Sequence, residues 1–196
     1  VREFAVQKVE PRASEIDRSC RFPVETFQEM AEMGLMALPV SEEYGGGGAD
    51  YLSYAIAVEE LARVCASTAL SFAAHTSLCV MPLFLFGSDA QKQKYLTRLG
   101  SGTLGAYGLT EPNAGGDSGG TETMAVQQGE RYVINGTKIF ITNANYADIF
   151  IATAVTEKGV GTRGISAFVF EKDMPGFSLG AKDEKLGMRG SDWGTL

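Results

Sequence analysis

The hydrophobic pattern changes its period near residue 103, and that change constrains the fold more than any other feature of the chain. Before it, apolar residues recur at helical spacing; after it, they alternate in short runs between Gly and Asn turns. "VETFQEMAEMGLM" places Phe27, Met30, Ala31 and Met33 on one face, with Gly34 positioned to close the helix. "EEYGGGGAD" reads as a loop whose Asp50 caps the next helix. The following stretch, "YLSYAIAVEELARVCASTALSFAAHTSLCV", is apolar nearly all round, as expected of one helix buried in a bundle. "SDAQKQKYLTRLG" begins at a Ser88/Asp89 cap and ends at Gly100. Beyond it, "TLGAYGLT", "TMAVQQ", "RYVING", "KIFITN", "DIFIATAV" and "GISAFVFE" read as strands. The expectation is an α+β chain: an all-α helical bundle over residues 1–103, then an all-β sandwich- or barrel-like unit over residues 104–196.

Charge narrows the function classes. With 24 acidic residues against 17 basic ones, the net charge is −7, and no basic run occurs. Nucleic-acid binding needs clustered Lys and Arg, so it is not expected. Nor is membrane insertion, because the longest apolar run, "LCVMPLFLF" at 78–86, is short and contains Pro82. The three cysteines (Cys20, Cys65 and Cys79) are far apart and show no metal-ligand spacing. Reduced thiols in a cytosol-like compartment are the expectation, with no metal site. The chain starts at Val1 inside a helical pattern and stops at "SDWGTL", which reads as a piece of a longer chain, so any targeting segment lies outside it.

Two stretches carry candidate chemistry. "AYGLTEPNAGGDSGG" (106–120) places four glycines within six residues directly after a strand. Such a loop lets backbone N–H groups approach an anion. It is neither the dinucleotide fingerprint nor a P-loop, because no helix follows and G-K-[ST] is absent. In "KIFITNAN", strand alternation puts Phe140 and Thr142 on one face and Ile139 and Ile141 on the other. An aromatic plate beside a hydroxyl suits a planar heteroaromatic ligand. His75, the only histidine, follows "FAA" on an apolar helix and reads as a structural or partly exposed residue rather than a catalytic one. The acids of "EPNAGGD" read as caps and solvated surface, and no pair of carboxylates offers a general base.

Taken together, "AYGLTEPNAGGDSGGTETMA", "RYVINGTKIFITNANYADI", "GISAFVFEKDMPGFSLG" and "KLGMRGSD" resemble the acyl-CoA dehydrogenase family, nearest its short-chain (butyryl-CoA) members. "LPVSEEYGGGGAD", "EELARVCAST" and "FGSDAQKQKYL" follow in family order. The resemblance implies an FAD enzyme that converts an acyl-CoA to the trans-2-enoyl-CoA and passes electrons to an electron-transferring flavoprotein. It also implies a homotetramer, cytoplasmic in bacteria and in the mitochondrial matrix in eukaryotes. Tyr107, Leu109 and Thr110 match positions touching the isoalloxazine ring, and the loop of Gly115 and Gly116 lies near the pyrophosphates. Phe140, Ile141 and Thr142 match the second flavin segment, with Thr142 at the residue that hydrogen-bonds N5 and O4. Gly116 stands at a substrate- or cofactor-contacting position where the family usually has Ser or Thr, so one donor is missing. Such a bond contributes about 0.5–1.5 kcal/mol. The family's third, C-terminal helical domain carries the catalytic glutamate, so no catalytic base is expected among these residues. A related acyl-CoA oxidase and a non-catalytic fragment are the alternative readings.

Overall fold

A computed structural model describes all of residues 1–196. Residues 2–19 form helix α1, Val24–Glu32 α2, Tyr51–Ala62 α3, Ala66–Phe86 α4 and Asp89–Gly100 α5. Two of these helices contain a proline, and each widens into π geometry just ahead of it. Ala5–Val9 precedes Pro11, and His75–Val80 precedes Pro82. A proline lacks the N–H and crowds the preceding turn, and a wider turn accommodates both.

The expected caps are present. Ser53 N donates to Asp50 Oδ1 at 2.7 Å, and Ser88 and Gln91 form a reciprocal capping box. Gly34, at φ 71°, ends α2 with Leu35 N donating to Met30 O. Phe27 and Met30 are buried as expected, whereas Met33 is 46% exposed.

The long apolar stretch after residue 50 is two helices, not one. The chain breaks at residues 63–65, where Cys65 is extended, and α3 folds back on α4. Tyr54 seals that return: its hydroxyl donates to Ala73 O at 3.1 Å and its ring meets Phe72 edge-on. The apolar run read at 78–86 is the end of α4, which has 21 residues and an 18-residue stretch of mean hydropathy 1.7. Length and composition alone would let α4 cross a membrane. Its Phe72, His75, Thr76 and Cys79 are instead fully buried within this fold.

The strands are β1 Leu104–Gly108, β2 Met124–Gln128, β3 Arg131–Asn135, β4 Ile141–Thr142, β5 Ala147–Val155, β6 Ile165–Glu171 and β7 Trp193–Gly194. β5 is the spine of a five-stranded sheet, pairing parallel to β1 and antiparallel to β6. Its near-continuous apolar run fits burial on both faces. The β2–β3 hairpin joins β5 through the single pair Met124–Val155. β4 and β7 form a separate two-stranded ribbon. Helices and sheet share two apolar clusters: Phe27, Met30 and Phe72 join Ala106, Ile141, Ala147 and Phe150 in the larger, and Val80, Leu96 and Leu99 join Ile149 and Ile151 in the smaller.

Candidate functional site

β1 delivers Tyr107, Leu109 and Thr110 to the site, all half-buried. The strand passes so close to α4 that a Cβ on Gly105 would lie 2.5 Å from Cys79 Sγ, so only glycine fits there. After Thr110 the chain reverses, with Glu111 N donating to Ala114 O and Ala114 N to Glu111 O. The second segment comes back alongside the first, and Ile139 N donates to Thr110 O at 2.8 Å. Thr110 and the run 139–142, distant in sequence, are therefore neighbours.

The strand expected over 138–143 is only Ile141–Thr142. Phe140 and Asn143 bracket it in left-handed conformations, at φ 60° and 69°. A bulky residue rarely adopts that region, so simple strand alternation does not place Phe140. Burial nevertheless alternates over the three residues: Phe140 is 52% exposed, Ile141 buried and Thr142 half-buried. Thr142 pairs across the ribbon with Trp193, whose ring centroid lies 5.6 Å from that of Phe140. The indole N–H of Trp193 is buried and has no hydrogen-bond partner in the chain. Lys185 Nζ stands over the indole ring, 4.9 Å from its centroid. An exposed phenyl ring beside an unused buried donor is an arrangement that a planar heteroaromatic group fits.

The glycine loop is less integrated. Gly115 and Gly116 are exposed, neither has a positive φ, and an added Cβ at either would meet nothing within 4 Å. Local packing does not demand glycine at either position. Asp117 closes the next turn by accepting from Gly119 N at 3.1 Å.

Three further residues shape the site. Glu111 is not surface: with Lys138 it forms a buried ion pair at 2.6 Å. Glu111 also accepts from Thr121 Oγ1 and from the backbone N–H groups of Glu122 and Thr123. Burial alone would raise its carboxyl, but the Lys138 ammonium and these donors outweigh it and hold Glu111 down to about 2. The acid is therefore ionised and its lone pairs are occupied. Trp193 is the third; being the chain's only tryptophan was its one signal.

Residues 1–103 match the family description "Acyl-CoA dehydrogenase, N-terminal domain", and residues 106–196 match "Acyl-CoA dehydrogenase, middle domain". The chain is 55% identical over 192 residues to the short-chain specific acyl-CoA dehydrogenase of Clostridium acetobutylicum, covering 97% of this chain and 51% of that one. It superposes on the butyryl-CoA dehydrogenase of Megasphaera elsdenii with TM-score 0.93 and 42% identity, covering 98% of this chain and 52% of that one. A chain solved in work on the electron transferring flavoprotein of Acidaminococcus fermentans and flavin-based electron bifurcation gives TM-score 0.96 and 43% identity, covering 99% and 51%. The chain spans about half the length of the curated relatives it matches. With both its helical and its β regions matched, the chain belongs to the acyl-CoA dehydrogenase family.

Proposed function

We propose that these residues belong to an FAD-dependent acyl-CoA dehydrogenase that oxidises a short-chain acyl-CoA to its trans-2-enoyl-CoA. One observation carries the reading: the Ile139–Thr110 hydrogen bond joins two distant segments so that Phe140, Thr142 and Trp193 border one surface beside Thr110. Similarity to short-chain specific relatives supports the substrate class.

Bound FAD would supply the hydride acceptor. In this proposal Tyr107, Leu109 and Thr110 line one edge of the flavin site, with Thr110 as a donor. Thr142 supplies its hydroxyl at the reacting edge, Ile141 anchors that residue in the core, and Phe140 gives an apolar wall. Gly115 and Gly116 leave open backbone beside the phosphate groups, and Gly116 offers the substrate no side-chain donor. Glu111 does not take the α-proton, because Lys138 and three further donors occupy its oxygens inside the fold and leave it a weak base. The base is expected outside residues 1–196. The helical unit 1–103 forms one wall, and the β unit from 104 carries the contact residues. An electron-transferring flavoprotein as electron acceptor and a homotetrameric assembly complete the proposal, the former supported by the likeness to the Acidaminococcus work.

The test is to purify the full-length protein, release and identify its cofactor, and assay dye-linked oxidation across acyl-CoA chain lengths. FAD and enoyl product, fastest with short chains, support the reading. Absence of FAD, or no enoyl product with any acyl-CoA, refutes it. Fast reoxidation by air would make the protein an oxidase.

A further inference from the structure

Lys138 and Glu111 form the most enclosed ion pair in the chain, with side chains only 4% and 3% exposed. Lys138 Nζ reaches four oxygens on three stretches of backbone: Leu109 O at 2.9 Å and Glu111 Oε1 at 2.6 Å on the first, Thr121 Oγ1 at 2.9 Å on the second and Thr153 Oγ1 at 3.2 Å on the third. Thr121 accepts from Lys138 and donates to Glu111, so the network closes on itself. Breaking such a pair is costly, yet an apolar pair of similar volume often stabilises a fold as well. Stability alone does not explain why charges stand here; their distinctive contribution is direction.

That direction bears on Phe140. Two residues before it, Lys138 exchanges backbone hydrogen bonds with Leu196 at 3.0 and 2.8 Å, and Ile139 N binds Thr110 O. Three residues after it, Asn143 is held through its N–H on Asp192 O and its amide on Ser71 O, both at 3.0 Å. Phe140 is left-handed between these anchors, with no side-chain feature of its own that favours φ 60°.

We infer that Lys138 and Glu111 are positioning residues: their buried pair sets the spacing between Leu109–Thr110 and residues 138–142 and thereby holds Phe140 against Trp193 and Thr142 at the reacting edge. The inference rests on the proposed flavin site. Lys138 acts through Leu109 and the segment it begins, because its ammonium is enclosed and touches no open surface.

The experiment uses the full-length holoenzyme and the variants Glu111→Gln/Lys138→Met and Lys138→Arg. The double variant removes both charges at similar volume, and Lys138→Arg keeps the charge in a shape that does not fit the four acceptors. We expect both to fold, the double variant melting within about 5 °C of the parent. Flavin reduction by butyryl-CoA should slow roughly 10- to 100-fold, as misplaced contact groups do. KM should hold, the visible flavin band should change shape, and Trp193 emission, isolated by subtracting the Trp193→Phe protein, should shift to the red. Parent rate and parent Trp193 emission in whichever variant folds would overturn the inference. If the parent itself holds no flavin, the functional reading fails instead, and Trp193 emission alone then decides: a red shift upholds the clamp and an unchanged spectrum overturns it.

Discussion

The backbone N–H of Gly105 donates to Nδ1 of His75 across 3.0 Å, tying the first strand to α4. Accepting at Nδ1 leaves the proton on Nε2, which is buried and has no partner. Burial pushes the imidazole down to about 4, against the pull of the Met36 and Leu99 carbonyls. Protonation would charge the core and remove the acceptor that Gly105 uses. In the folded state His75 binds fewer protons than in the unfolded chain between about 4 and 6.5. Its contribution is therefore fully present above 6.5 and is lost as pH falls through that window.

The expected loss between pH 6.5 and pH 4 is on the order of 3 kcal/mol from this group. Urea midpoints across that range should fall steeply in the parent and less steeply in His75→Gln, which keeps an acceptor but does not titrate. Parallel curves would show that His75 is not the titrating group.

Two glycines should respond oppositely to substitution. Gly105→Ala places a methyl 2.5 Å from Cys79 Sγ and should cost about 1–3 kcal/mol. Gly116→Ser enters open space at an ordinary φ and should change stability by less than about 0.5 kcal/mol. Thermal melts of both variants check this. A Gly116→Ser protein that loses its flavin would mean that the loop needs this glycine in the bound state.

Cysteine reactivity should separate cleanly. Burial pushes the Cys79 thiol up to about 12, and Cys65 is also buried, while Cys20 is exposed. A thiol reagent under native conditions should label Cys20 and spare the other two until the protein is unfolded. Native labelling of Cys79 would contradict the packing of β1 on α4.

Thr142→Val keeps the shape of the side chain and removes its donor. In the full-length protein, on the proposed function, it should slow flavin reduction about 10-fold while leaving stability near the parent value. Single-turnover reduction is the measurement, and an unchanged rate would remove Thr142 from the reacting edge.

The elements with local signals were the legible ones. Asp50, Ser88 and Gly34 act through residues three or four away, and the strands over 104–108, 147–155 and 165–171 follow their alternating or apolar runs. The break at residues 63–65 has no Gly or Pro to announce it; it follows from packing of Tyr54 on Phe72. Phe140 lies in a run of β-formers, so propensity points to a strand, and only anchors at Lys138 and Asn143 turn it left-handed. Glu111 and Lys138 stand 27 residues apart, and no spacing rule pairs them. The resemblance points to the segments proposed as contacts; what holds those segments together is visible only in three dimensions.

The central claim is that residues 107–116 and 140–142 form one side of a flavin site that oxidises an acyl-CoA. Its most direct test is an anaerobic titration of the full-length holoprotein with butyryl-CoA while the visible flavin band is followed. The account predicts that the band bleaches in a single turnover as the 2-enoyl-CoA forms. A protein that carries no flavin, or a flavin band that no acyl-CoA bleaches, would contradict it.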